Sequence, residues 1–393
     1  MNPKDLIIQG LFKVNPYWDE IPWNRQLDKV AKSKGIHANR TKKINKFRER
    51  PVHVVIVPQH GPSYGTYSPG NWNFYFEAEQ ILADCIGAEA VSVLDIPEGE
   101  TTDNWHRRLI DHVAQTKATH ILTHIESDPG GPNDSWTWDQ AFQRLLDSGW
   151  DGVLLGVNFD SAFKWIRARS RRLARMSPQF VAVDICMPLD GMLVKGRQEV
   201  GPVNMPVSSL TLDLISQEIS NVSKEFDVSF IGALYPYRVK LIEEIRSRGI
   251  NVAVNPHRPD ETKDFVSSRS NQPSWLQYMR GLASSHMTIN FSQSSAGPFE
   301  QLKTRVIEAA LAGTFLLTDD KDRTRLFFEA DDFATFTSVD ELPELIENLL
   351  SDRATLSEQS VRAQNRAITL AVTNFWGEID AVLRQRGLPS LSN

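Results

Sequence analysis

The sequence predicts an α/β protein of two domains, each built on a parallel, doubly wound β-sheet. Short runs of consecutive apolar and β-branched residues alternate with segments of helical periodicity. This alternation stops near residue 189 and begins again near residue 227. The length of 393 residues also indicates more than one domain, because single domains commonly have about 100 to 200 residues.

The first half of the chain predicts a sheet of five strands. Each apolar run is continuous rather than alternating, which is typical of strands that are buried on both faces. The predicted strands span residues 52–59, 90–97, 119–127, 152–159 and 180–188. The segments between them have helical spacing, so the crossovers are expected to be right-handed and the sheet parallel.

The second half repeats this pattern after an irregular stretch, residues 189–225, in which Gly, Pro and Ser are frequent. Its predicted strands are DVSFIGA (227–233), INVAVNP, HMTINFS and TFLLTD, with helices between them. The helix VDELPELIENLLSD and a long helical tail complete the chain. Two Rossmann-like halves that join near residue 205 would face each other across a cleft. Ligands of open α/β sheets bind beyond the carboxyl ends of the strands, so the binding residues are expected just after each strand.

Composition narrows the class of partner. The net charge of −6 does not favour nucleic acid as a partner. Residues 1–50, however, hold 12 Lys/Arg against 5 Asp/Glu. We expect this basic extension to pack on the first domain; contact with an anionic membrane surface is the alternative. The sequence shows no secretory signal or membrane span, and its cysteines, Cys85 and Cys186, suit a reducing compartment as buried residues. A cytoplasmic protein is expected; peripheral attachment to the inner membrane face through the extension is the alternative.

One loop of the first half follows the end of the first predicted strand. The stretch QHGPSYGTYSPGNW includes Gly61, Ser63, Tyr64 and Gly65. Its glycines would let the backbone approach a sugar or a phosphate, although a plain surface loop has the same composition. It is not a G-x-G-x-x-G fingerprint, so a dinucleotide site is not predicted.

His124 lies near the carboxyl end of the third predicted strand. Histidine transfers protons readily near neutral pH, which makes it a candidate catalytic residue. Strand alternation also places it on the same face as the apolar Leu122, so a buried core histidine is an equal alternative.

Two segments of the second half carry candidate binding residues. In IGALYPYRVK, Arg238 and Lys240 lie near a predicted helix start, which predicts an anion site; two solvated basic residues are the alternative. In FEQLKTRVIEAALAGTFLL, Glu300 and Glu308 stand with seven residues between them. The apolar residues of this segment mark the buried face of a helix. Arg305 and Glu308 also have the i,i+3 spacing of a helical ion pair.

The segment EQLKTRVIEAALAG resembles the E-x7-E signature of GT-B glycosyltransferases, without a gap. The order of elements that follows is similar to the group 1 C-terminal domain. The chain looks most like CgeB-like (spore-maturation-protein) glycosyltransferases, through RVIEAALAGTFLLT (305–318) and IGALYPYRVKLIEEI (231–245). The resemblance covers roughly residues 51–385, and it is weaker in the first half.

This resemblance implies a nucleotide-sugar donor of the UDP or GDP type, bound by the second domain. Glu308 would bind the ribose, and Glu300 would face the donor sugar as a catalytic residue. The cations Arg238 and Lys240 would neutralise the diphosphate, helped by backbone N–H groups at 302–304. Three further donor-site residues stand where small residues and proline are usual: Lys303, Thr304 and Arg305.

The resemblance also implies how the domains divide the work. The expected parts are a basic extension (1–50), an acceptor domain (51–205), a donor domain (206–371) and a terminal helix (372–393) that returns to the first domain. The acceptor would be a glycan, a lipid or another molecule, with His124 near the transferred sugar. GT-B enzymes imply no metal and no further cofactor.

Several alternatives remain open. Asp320 and Asp322 form a D-x-D pattern after an apolar strand, as in metal-dependent transferases, although a solvated turn is the stronger interpretation. Nucleotide-sugar epimerases and phosphorylases use the same two-domain architecture. A non-catalytic binding subunit is the third alternative.

Overall fold

The computed structural model describes residues 32, 36, 50–58, 71–97, 99–125, 136–159, 161, 163–185, 199–256, 274–293, 300–319 and 321–391. The predicted loop with Gly61, Ser63, Tyr64 and Gly65 lies outside these residues, and so does Asp320.

The first domain is built on one parallel sheet. Its strands are β1 (Val54–Val57), β2 (Val91–Val93), β3 (His120–His124), β4 (Val153–Asn158), β5 (Phe180–Asp184) and β6 (Glu199–Val200). Their order in the sheet is β2-β1-β3-β4-β5-β6. The helices that connect them are α1 (Phe74–Ile86), α2 (Thr102–Thr116), α3 (Thr137–Asp147) and α4 (Lys164–Met176).

The second domain is built on another parallel sheet. Its strands are β7 (Phe226–Phe230), β8 (Val252–Val254), β9 (Ser285–Asn290), β10 (Phe315–Thr318) and β11 (Phe333–Thr335). Their order is β11-β10-β9-β7-β8. From residue 209 onward the helices are α5 (Ser209–Ile219), α6 (Pro236–Ser247), α7 (Trp275–Ala283), α8 (Arg305–Leu311), α9 (Lys321–Thr324), α10 (Leu342–Ser351) and α11 (Arg353–Gln385).

Both sheets are covered on two faces, as continuous apolar strands require. All four residues of β1 are fully buried. Val54 and Ile56 pack into one hydrophobic cluster, whereas Val55 and Val57 pack into another, because successive side chains point to opposite faces. The predicted fold class, two Rossmann-like parallel-sheet domains, is therefore confirmed.

The long helix α11 joins the two domains. Its early part packs on α8 and β10 of the second domain. Farther along, the Phe375 ring lies 5.9 Å from the Phe74 ring of the first domain. After the helix ends, Arg386 Nη2 donates to the carbonyl of Pro178 at 2.9 Å. The predicted boundary at residue 371 falls inside this continuous helix, whose last turns lie against the first domain.

Several sequence expectations were wrong in detail. The stretch 189–225 holds a short strand, β6, and a helix, α5, where no element was predicted. The second strand has three residues, far fewer than the predicted span of 90–97. Cys85 is exposed rather than buried, because it lies on the outer side of the last turn of α1.

The basic extension is described at three positions only. Ile36 is buried within a hydrophobic cluster of the first domain. Arg50 forms an ion pair with Asp151, with Nη2 2.7 Å from Oδ1. These two residues contact the first domain.

Candidate active site

The turn after β7 lies at the carboxyl edge of the second sheet. Gly232 has φ +145, a backbone conformation that favours glycine. Its N–H donates to Asn255 Oδ1 at 2.9 Å, which ties the end of β8 to this turn. A β-carbon added at Gly232 would lie 3.9 Å from Arg305 Nη1. The guanidinium of Arg305 therefore lies beside the half-buried backbone of the turn.

Arg238 reaches the same turn from the first turn of α6. Its Nη1 donates to the carbonyl of Ala233 at 3.0 Å, and its Nε donates to the Tyr237 hydroxyl at 2.8 Å. Four aromatic rings lie 4.7–5.4 Å from its Cζ, close enough for cation–π attraction. They belong to Phe230, Tyr235, Tyr237 and Phe291. These contacts hold one charge in a fixed place at the sheet edge.

A carboxylate accompanies the two cations. Asp319 follows β10, and its Oδ1 accepts a hydrogen bond from Ser292 N at 2.7 Å. Burial raises the pKa of Asp319, and the bond from Ser292 and the charge of Arg238 partly oppose this effect. The carboxyl ends of β7, β9 and β10 therefore present two cations and one acid at a single edge.

Glu308 lies inside α8, and 8% of its surface is exposed. Its Oε1 accepts from the indole Nε1 of Trp275 at 3.0 Å. Its Oε2 accepts from the hydroxyl of Tyr278 at 2.9 Å and from the hydroxyl of Thr304 at 3.3 Å. Both oxygens of the carboxylate are thus oriented by donors of the protein.

Arg305 does not pair directly with Glu308 in the described part of the chain. Its Nε instead donates to the Tyr278 hydroxyl at 3.4 Å. Burial raises the pKa of Tyr278, and the neighbouring Glu308 charge adds to this effect. The hydroxyl therefore keeps its proton and lies between the two charged residues, and the direct i,i+3 ion pair that their spacing allows does not form.

The remaining donor-site candidates surround this centre. Glu300 is exposed and forms an isolated antiparallel bridge with Gln293. Glu300 therefore lies before α8 and Glu308 lies within this helix, as predicted. Lys303 and Thr304 are half-buried just before α8. Lys240 is exposed on α6. Their proposed roles stay predictions.

His124 ends β3 and is fully buried. Its ring centroid lies 5.3 Å from that of Phe159. This environment fits the alternative of a core histidine. A catalytic role stays a prediction.

The segment that follows the predicted cleft loop contacts the second half of the chain. Asn71 Oδ1 accepts a hydrogen bond from Trp275 N at 3.2 Å. The indole of Trp72 donates to the carbonyl of Pro206 at 2.8 Å. The buried Glu77 accepts from Ser208 N at 2.6 Å and from the Thr211 hydroxyl at 2.7 Å, at the start of α5.

The sequence reasoning missed Asn71, Trp275 and Tyr278. Trp275 and Tyr278 lie in an apolar helix pattern, which indicates core residues. Their spacing of one helical turn was the available signal, because it places both on the same face.

Within the described residues there is no group of three or more His, Cys, Asp or Glu side chains that could hold a metal ion. Nor is any helix of the described ranges both long enough and apolar enough to span a bilayer.

Residues 238–373 match the family described as glycosyl transferase-like. This region includes Arg238, Arg305 and Glu308. No curated protein matches the sequence. The more specific likeness to CgeB-like enzymes stays a prediction.

Several solved structures are similar to the chain. The Anabaena protein Alr3699/HepE, in complex with UDP, is 11% identical with a TM-score of 0.47, over 85% of this chain and 98% of that chain. Sucrose-phosphate synthase of Thermosynechococcus elongatus is 11% identical with a TM-score of 0.45, over 86% and 97%. A UDP-N-acetylglucosamine 2-epimerase is 13% identical with a TM-score of 0.43, over 88% and 99%. At these TM-scores the likenesses carry no inference about the activity of this chain.

Proposed function

We propose that this protein is a glycosyltransferase that moves a sugar from a nucleotide-sugar donor, of the UDP or GDP type, to a glycan, a lipid or another acceptor. The observation that carries the proposal is the meeting of Arg238 and Arg305 at the turn of Gly232 and Ala233, with Glu308 one helical turn beyond Arg305. All three side chains lie in the region that matches the glycosyl transferase-like family.

The two guanidinium groups suit the diphosphate of such a donor. Like charges that converge on one backbone turn repel each other, and an anion between them removes that cost. Guanidinium groups also bind phosphate oxygens with two parallel hydrogen bonds. During transfer, negative charge develops on the departing nucleotide, and fixed cations stabilise that charge without reorganisation. We therefore propose that Arg238 and Arg305 take the role that a divalent metal has in other transferases.

Glu308 suits a sugar hydroxyl. An ionised carboxylate has about four acceptor positions, and three are used by Trp275, Tyr278 and Thr304. One position remains for a donor from a ligand, such as a ribose hydroxyl. Glu300, exposed before α8, would face the donor sugar, while Lys240, Lys303 and Thr304 would add contacts at the rim of the site.

The first domain would supply the acceptor side. The loop with Gly61, Ser63, Tyr64 and Gly65 immediately precedes the segment that contacts the second domain at Asn71. His124 is proposed nearest the transferred sugar. Its burial requires that acceptor or donor binding expose the ring before it can transfer a proton.

A panel of nucleotide sugars tests the donor site. Wild type, Glu308→Gln and the control Glu344→Gln would be melted with UDP-, GDP-, CMP- and dTDP-sugars. Glu344 is exposed on α10, so the control removes a charge outside the site. We expect one nucleotide class to raise the melting temperature of wild type and the control, with a smaller rise for Glu308→Gln. No shift with any donor would contradict the proposal.

Product analysis separates the alternatives. A transferase releases free nucleotide from the donor when acceptor or water takes the sugar. An epimerase would invert a sugar centre, and NMR would detect the new sugar. A phosphorylase would need inorganic phosphate. A non-catalytic subunit would bind a donor and leave it unchanged.

A further inference from the structure

Helix α7 aims two hydrogen-bond donors at Glu308. The helix begins with a capping box, in which Ser274 Oγ accepts from Gln277 N at 3.2 Å and Ser274 N donates to Gln277 Oε1 at 2.8 Å. This box fixes the first turn of the helix. Trp275 and Tyr278, three residues apart, therefore project on one side, where their N–H and O–H groups reach opposite oxygens of one carboxylate.

The two donors determine how Glu308 can turn. An indole N–H only donates, so Oε1 must remain at Trp275. The Tyr278 hydroxyl donates to Oε2 and accepts from Arg305 Nε, so the same ring also locates the cation of the donor site. Rotation of the carboxylate toward a ligand would break at least one of these charge-assisted bonds. The remaining acceptor position of the Glu308 carboxylate therefore points in one fixed direction.

The first domain contacts α7 at Trp275. Asn71 Oδ1 accepts from the backbone N–H of Trp275 at 3.2 Å. The first domain also contacts α7 indirectly: Glu77 accepts hydrogen bonds at the start of α5, and α5 packs on α7. Both contacts begin in the segment 71–77, so a shift of this segment would move the first turn of α7.

We infer that Trp275 and Tyr278 are positioning residues that set the direction of the Glu308 carboxylate, and that Asn71 makes their placement depend on the contact between the two domains. The inference rests on the proposed function, since it assigns Glu308 to a ligand hydroxyl. It implies that the donor binds more tightly while the first domain contacts α7.

The test measures the affinity of UDP and GDP by titration calorimetry. Wild type is measured first, followed by Trp275→Phe, Tyr278→Phe and Asn71→Ala, each alone and combined with Glu308→Gln. We expect the two aromatic substitutions to weaken binding about tenfold, as the loss of one charge-assisted bond near a ligand does. Asn71→Ala is expected to weaken binding about threefold, because it acts only through α7.

The combined variants separate positioning from a general structural effect. If the three residues act through Glu308, their substitution changes affinity little once Glu308 is Gln. The matched control is Trp150→Phe, which removes the 2.8 Å hydrogen bond from the Trp150 indole to the Ala118 carbonyl in the first domain. This control is expected to leave nucleotide affinity unchanged. Melting curves of the free proteins show that each variant is folded.

Each outcome decides the inference. Wild-type affinity in both Trp275→Phe and Tyr278→Phe overturns it. Losses of the same size with and without Glu308→Gln overturn it too, because the residues would then act elsewhere. If wild type binds neither UDP nor GDP, the proposed donor site fails and this inference fails with it. Tyr278→Phe, which removes one oxygen atom, keeps the test decisive if Trp275→Phe does not fold.

Discussion

Glu308→Gln removes one charge from the centre of the candidate site and keeps its shape. The native carboxylate accepts bonds of 3.0, 2.9 and 3.3 Å from Trp275, Tyr278 and Thr304. Because an indole only donates, the carbonyl oxygen of glutamine must face Trp275. Its amide group then faces the two hydroxyls, which can accept instead of donating.

The expected loss of stability follows from these three bonds. A hydrogen bond to a charged group contributes about 1.5–3 kcal/mol, and a neutral one about 0.5–1.5 kcal/mol. The two shorter bonds would each lose roughly 1 kcal/mol, so the free energy of unfolding should fall by about 2 kcal/mol. Nucleotide affinity should fall by roughly 10- to 150-fold, which corresponds to one lost bond from a ligand hydroxyl to a charged acceptor.

Two assays check these values. Urea unfolding gives the free energy, and titration calorimetry gives the affinity for the nucleotide that the thermal screen identifies. The control Glu344→Gln should change the free energy by less than about 0.5 kcal/mol, because it is a surface substitution. Unchanged affinity in Glu308→Gln would refute the assignment of Glu308 to the ligand, even if stability fell as expected.

Three other predictions concern single residues. Arg238→Ala should weaken the binding of UDP or GDP at least about tenfold and leave the affinity for the matching nucleoside unchanged in the same titration. The reason is that only the diphosphate would contact the guanidinium. His120, buried with Nε2 2.9 Å from the Pro389 carbonyl, has its pKa lowered by burial to about 4 from 6.5, so its contribution to stability is complete above pH 6.5 and is lost as the pH falls toward 4. Wild type should therefore lose about 3 kcal/mol of unfolding free energy between pH 6.5 and pH 4 through this group, and His120→Gln should lack that loss. Urea unfolding at several pH values measures the difference. Asp139→Ala should lower the free energy of unfolding by about 3–5 kcal/mol, because it leaves Arg172 buried without the carboxylate that lies 2.9 Å from its Nε; a melting temperature close to wild type would contradict this.

The sequence was sufficient for the architecture where strands are buried on both faces. The residues of β1 and β4 are wholly apolar or nearly so, and such runs stand out against the helices between them. Element β6 escaped prediction because two residues form no pattern. Helix α5 escaped because it begins in a stretch rich in Ser and Pro, although Ser208 provides an N-cap by accepting from Thr211 N.

The candidate site was predictable only in part. Arg238, Arg305 and Glu308 carry charge near strand ends, and a single sequence shows both properties. The orientation of Glu308 depends on side chains that are about 30 residues distant in sequence, Trp275 and Tyr278, whose apolar spacing indicates a buried helix face. Contacts between domains, such as that of Asn71, have no local signature at all.

Release of free nucleotide from UDP-, GDP-, CMP- and dTDP-sugars tests the central claim most directly. Purified wild type, Glu308→Gln and Arg238→Ala would be incubated with each donor in the presence of EDTA. We expect wild type to release nucleotide from one donor class, at a rate that EDTA does not change, and both variants to be slower at least about tenfold. Binding without turnover, or equal rates in all three proteins, would contradict a transferase whose donor site includes Glu308 and Arg238.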